Sequence, residues 1–65
     1  MRIDIEAEER VQRLLSLEPK SAGDFYEIER VILKEIERAQ AERRVRDSIR
    51  LKHKLLELRQ RKSIL

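Results

Sequence analysis

Hydrophobic residues recur along this chain at steps of three and four, the period of one face of an α-helix. Ile3, Ala7, Val11 and Leu14, with Leu15 alongside, make a first stripe and predict a helix over about residues 4–17. Asp4 is a suitable N-cap, and Glu6, Glu8 and Glu9 fall where the helix dipole favours negative charge. Residues 18–23, "EPKSAG", interrupt the period, because Pro19 and Gly23 both disfavour a helix interior. A second stripe then starts at Phe25 and continues through Ile28, Ile32, Ile36 and Ala39. Asp24 followed by Glu27 resembles a capping box opening this helix.

Beyond Ala39 the apolar positions turn to another side of the helix. Val45, Ile49 and Leu56 lie about 140° from the Phe25–Ala39 stripe, and Leu51, Leu55 and Leu58 widen this second face. No Gly or Pro occurs from residue 24 to the end, so the helix is expected over about 24–60. Two readings stand at 40–44: a break, or one continuous helix presenting different faces to different neighbours. In both, the second half requires its own partner. The expected fold class is therefore all-α, a helical hairpin of a short helix, a turn and a long or broken helix, assembling into an oligomeric helical bundle. The chain forms a single domain over 1–65.

Composition supports that picture. Charged residues are 45% and hydrophobic residues 40%, the balance of long helices and coiled coils. At 65 residues a lone core is small, and with no Cys and one His53 neither disulfides nor a metal cluster can supplement it. A homo-oligomer or a helical protein partner is the remaining source of stability. The absence of Cys suits the cytoplasm, and abundant charge without Asn fits a thermophile. No apolar run is long enough for a membrane span.

The aromatic content, Phe25 and Tyr26, sits side by side at the hairpin end, where Phe25 is expected in the core and Tyr26 at its edge. Residues 41–65 form a basic arm, with nine basic and three acidic side chains. Arg43, Arg46, Arg50, Lys54 and Arg61 line one side of it as candidate phosphate contacts. No aromatic interleaves them, so nucleic acid would be held by its backbone. No Gly-rich phosphate loop, nucleophile elbow or metal-ligand cluster occurs, and His53 with Glu57 supplies at most half a shared zinc site. No catalysis, no cofactor and no small-molecule substrate are expected. Candidate interaction and core residues are Phe25, Tyr26, Val45, Ile49, Leu55, Leu56 and Leu58.

"DFYEIERVILKEIE" and "LLELRQRKSIL" resemble the helical domain of archaeal GINS subunits, which accompany the replicative helicase. The residues that carry the resemblance are Leu14–Leu17, Asp24, Phe25, Tyr26, Leu55, Leu58, Arg59, Arg61, Lys62, Ile64 and Leu65. It implies a helical assembly module of DNA replication. A fainter similarity links "VRDSIRLKHKLLELRQRKSI" to the first helix of small all-helical chorismate mutases, but the helices that would complete that site do not follow. The alternative function is that of a small dimeric helical nucleic-acid-binding protein using the basic C-terminal helix.

Overall fold

The computed structural model describes residues 5–64, with side chains to Arg61. The fold is all-α: helix α1 spans Ile5–Leu15, α2 Ala22–Ala41 and α3 Val45–Ile64. Glu8 faces Arg50 and Glu18 faces Lys54, so α1 runs parallel to α3. Glu29 meets Arg59 from the opposite direction, so α2 is antiparallel to α3. The result is an up-down-up bundle of three helices.

α1 forms on the expected stripe, with Ala7 and Val11 buried and Leu14 and Leu15 packed at the core's edge. Ile3 and Asp4 lie outside the described residues. The helix closes at Leu15, two residues short of expectation. Glu18 precedes Pro19 and is pushed out of the helical region by the proline ring. The last turn tightens as the Ser16 amide donates to the carbonyls of Gln12 and Arg13.

The start of α2 differs from the sequence reading. Ser21, extended at φ −152°, is the N-cap, and its Oγ accepts from the Asp24 amide at 3.2 Å. The Asp24 carboxylate accepts from the Lys20 amide at 3.2 Å. Asp24 is thus the acidic arm of the cap rather than the cap itself. Gly23 falls inside the first turn, where amides have no partner within the helix and a glycine weakens little. Phe25, Ile32, Ile36 and Ala39 are buried along the expected stripe, and Glu35 is buried with them.

Of the two readings at 40–44, the break is the one observed. α2 ends at Ala41, and Arg43 takes the left-handed conformation at φ 59°. The Arg44 amide donates to Ala39 at 2.7 Å and the Arg43 amide to Gln40 at 3.1 Å, the pair of bonds that defines a Schellman close. The Arg44 carbonyl then accepts from the Ser48 amide and opens α3. Glycine adopts the left-handed state without the steric cost an arginine bears, about 1–2 kcal/mol. Arg43→Gly should therefore raise stability by about 1 kcal/mol, read as a higher urea midpoint at unchanged slope.

α3 folds back along α2 and buries Leu51, Leu55 and Leu58 against Val11, Phe25, Ile32 and Ile36. This corrects the expectation that the second half lacks a counterpart within one chain. Its Leu51–Leu55–Leu58 line is covered by α1 and α2. Its other apolar line is not.

Candidate protein-interaction face and ion-pair network

Val45 is 66% exposed, Ile49 50% and Leu56 56%. At about 100° per residue these three occupy an arc of about 40° on α3. On α2, Tyr26 (56% exposed) and Leu33 (43%) stand seven residues apart, a spacing that keeps them on one line. A groove lined by Ala39, Gln40, Val45, Ser48, Ile49 and Lys52 joins the two helices at the turn end. Arg59 crosses to Glu29 at 3.0 Å nearer the other end. α1 packs on the opposite side of the hairpin, through Arg10 to Glu35 and Glu8 to Arg50. The α2–α3 hairpin therefore has one covered face and one open face that carries Tyr26, Leu33, Val45, Ile49 and Leu56, while Val31 on α2 and Ile5 on α1 are exposed elsewhere.

The seven candidate interaction and core residues separate into two sets. Phe25, Leu55 and Leu58 are buried in the core. Tyr26, Val45, Ile49 and Leu56 lie on the open face. Phe25 and Tyr26 meet edge to face, with ring centroids 5.7 Å apart. The buried ring thus orients the exposed one.

The five candidate phosphate contacts are not gathered into one free stripe. Arg50 contacts Glu8 and Asp47 at 3.3 and 3.4 Å. Lys54 is buried, its Nζ 3.4 Å from Glu18. Arg61 bonds Glu18 and Glu57. Arg43 and Arg46 are exposed. Three of the five cations are thus occupied by carboxylates of the chain itself, two of which belong to α1 and the turn after it.

A network absent from the sequence reading centres on Arg44. Its guanidinium reaches Glu35 at 2.7 Å, Asp47 at 2.8 Å and Glu42 at 2.9 Å. Arg10 from α1 takes the other oxygen of Glu35 at 3.3 Å, and Asp47 continues to Arg50 and hence to Glu8. Burial alone would push the Glu35 carboxyl up, but hydrogen bonds from Arg44 and Arg10 outweigh it and hold its pKa below the usual range. Burial likewise disfavours charge on Arg44, yet bonds to Glu35 and Asp47 raise its pKa. Glu8 is lowered by its bonds from Gln12 and Arg50, and Glu18 by its bond from Arg61. The sequence signal for this network was Glu35 itself, a carboxylate on the line of Ile28, Ile32 and Ala39.

No family profile matches the chain, and neither curated proteins nor solved structures include a match. The chemistry of the chain must be read from its own side chains. Among the described residues no cluster of three or more His, Cys, Asp or Glu could hold a metal ion. His53 stands exposed beside Glu57 on the α1–α3 side. Among the described residues no helix is long and apolar enough to cross a membrane.

A groove of about 500 Å³ lies at the end away from the α2–α3 turn, between Pro19, Phe25, Leu58 and Arg61. Its carboxylate, Glu18, is already bonded to Arg61 and Lys54.

Proposed function

We propose that this chain is a non-catalytic cytoplasmic assembly module that docks through the open α2–α3 face onto another helical surface, of a copy or of a different protein. The observation that carries the reading is the division of α3 into two apolar lines, one buried and one exposed. An apolar line in a helix that the fold does not use is the usual mark of an interaction site. The shifted carboxylates fit the same reading. Glu8, Glu18 and Glu35 all move down, held ionised by cations, whereas a general acid needs its pKa raised. The resemblance of Asp24-Phe25-Tyr26 and the Leu55–Leu65 run to GINS helical domains supports a place in a DNA-replication assembly. Phosphate binding is less well supported, because Arg50, Lys54 and Arg61 already have carboxylate partners.

Site-specific photo-crosslinking in the cells that make the protein tests this. A photoreactive residue at position 49 should form protein adducts that disappear when Leu56→Lys is added, while one at position 13, on α1, should form few. Adducts to nucleic acid in place of protein would favour the alternative function. Equal adducts from both positions, insensitive to Leu56→Lys, would remove the basis for the docking face.

A further inference from the structure

We infer that the occupant of the open face is a second copy of this chain, related by a two-fold axis parallel to the helices, so that α2 of each copy lies against α3 of the other. The inference rests on the docking reading above and names its partner.

The register between α2 and α3 carries it. Glu29 is level with Arg59, and Gln40 with Val45 and Ile49. Leu33 lies four residues past Glu29, and Leu56 three before Arg59, so the two leucines differ in level by about 1.5 Å. A two-fold axis parallel to the helices preserves these levels. It sets Leu33 of one copy against Leu56 of the other, and Gln40 against Ile49, twice over. An axis across the helices would instead bring Val45 and Ile49, at the turn end, toward the far end of the second α3.

Charge follows the same register. Lys52 interrupts the α3 line between Ile49 and Leu56 and is exposed. Glu37, exposed on the flank of Leu33, lies eight residues past Glu29, while Lys52 lies seven before Arg59. Under the parallel axis, Glu37 of each copy therefore comes level with Lys52 of the other. Opposite charges meet along both seams. A single polar layer of this kind fixes register in helical assemblies, and the long lysine stem can cover apolar neighbours while its head reaches the carboxylate.

Size agrees with a reversible dimer. Two 20-residue helices side by side present a face about 30 Å long and about 16–20 Å wide. That gives about 500–600 Å² per copy and about 1,000–1,200 Å² in total, the lower end for specific association. Dissociation in the micromolar range is expected rather than a permanent complex.

Sedimentation of the purified chain from about 1 μM to 1 mM should show a mass rising from 7.9 kDa toward twice that value. Glu37→Lys and Lys52→Glu, each alone, should weaken the dimer about tenfold or more, since each places like charges across both seams. An equimolar mixture of the two variants should restore association, because every cross-copy pair is then opposite in charge. Circular dichroism should be unchanged in both, as the two positions are exposed. A monomer at every concentration would overturn the inference, and so would a dimer indifferent to both variants or a mixture no tighter than the variants alone. If the purified chain is monomeric while position 49 still gives adducts to a different protein, the second copy is overturned and the docking face stands. If both fail, the docking reading fails with it.

Discussion

Phe25→Ala is expected to cost about 3–5 kcal/mol of folding free energy, the usual range for truncating a buried aromatic. The residue is 5% exposed and packs in the core cluster that holds Val11, Ile32, Leu55 and Leu58. Those neighbours sit on three helices, so the cavity left behind cannot close without moving one helix against the other two. A domain of 65 residues commands only about 3–10 kcal/mol in total. The variant should therefore melt tens of degrees lower, or be largely unfolded at room temperature. Tyr26→Ala removes an exposed ring and one edge-to-face contact, worth about 0.5–1.5 kcal/mol. Urea unfolding of the two variants side by side should separate them by at least about 1.5 kcal/mol. Equal losses would mean that Tyr26 belongs to the core as much as Phe25 does.

Arg44→Met should cost about 3 kcal/mol. Removing one partner of a buried ion pair leaves the other charged and poorly solvated, at about 3–5 kcal/mol. The lower figure applies because Arg10 still holds one oxygen of Glu35. The side chains of Arg44 and Glu35 are 14% and 9% exposed, so water offers little substitute. The double variant Arg44→Met with Glu35→Met should recover most of the loss, since no charge is then stranded. A pH dependence accompanies this. The Glu35 pKa is depressed in the folded chain, so its stabilisation is complete above the ordinary glutamate pKa of about 4.3 and is lost as pH falls through the lower folded value. Glu8 and Glu18 shift in the same direction and add to the same acid loss. In Arg44→Met the Glu35 carboxyl loses its main hydrogen-bond donor, so its folded pKa moves back up toward the ordinary value and its share of the acid loss should shrink. Urea midpoints measured at pH 7 and pH 4 test both parts. A variant within about 0.5 kcal/mol of the parent at pH 7 would show that the network does not hold the α2–α3 turn.

The helices were legible from the period of their apolar residues, because burial in a small bundle leaves room for little else on that face. Their ends were less so. Gly23 reads as a breaker, yet it falls in a first turn whose amides are unpaired in any helix, so Ser21 caps ahead of it. At 42–44, Glu42, Arg43 and Arg44 are all good helix formers, and nothing local announces the break. What decides it is tertiary. Folding α3 back buries Leu51, Leu55 and Leu58, and the Arg44 network gathers Glu35, Glu42 and Asp47 around the turn. These gains exceed the cost of a left-handed arginine.

The open face was legible only as one of two lines. Val45, Ile49 and Leu56 have the same period as Leu51, Leu55 and Leu58, and hydrophobicity alone cannot rank them. Ser48 and Lys54, polar residues on the side that is buried, point the wrong way. Lys54 is explained by a partner that sequence spacing does not reveal, Glu18 in the turn after α1. The basic stripe misleads for the same reason. Charge is visible in the sequence, but the carboxylates that neutralise Arg50, Lys54 and Arg61 include two that lie 36 or more positions away.

Neighbouring leucines of α3 give the most direct test that one line builds the fold and the other serves association. Leu55 is 6% exposed and Leu56 56%. Urea unfolding of Leu55→Ala and Leu56→Ala, at sub-micromolar concentration where association contributes nothing, compares the two lines with the same atoms removed. The account predicts a loss of about 2–5 kcal/mol for Leu55→Ala and about 0.5 kcal/mol or less for Leu56→Ala. Equal losses, or a larger one at Leu56, would contradict it.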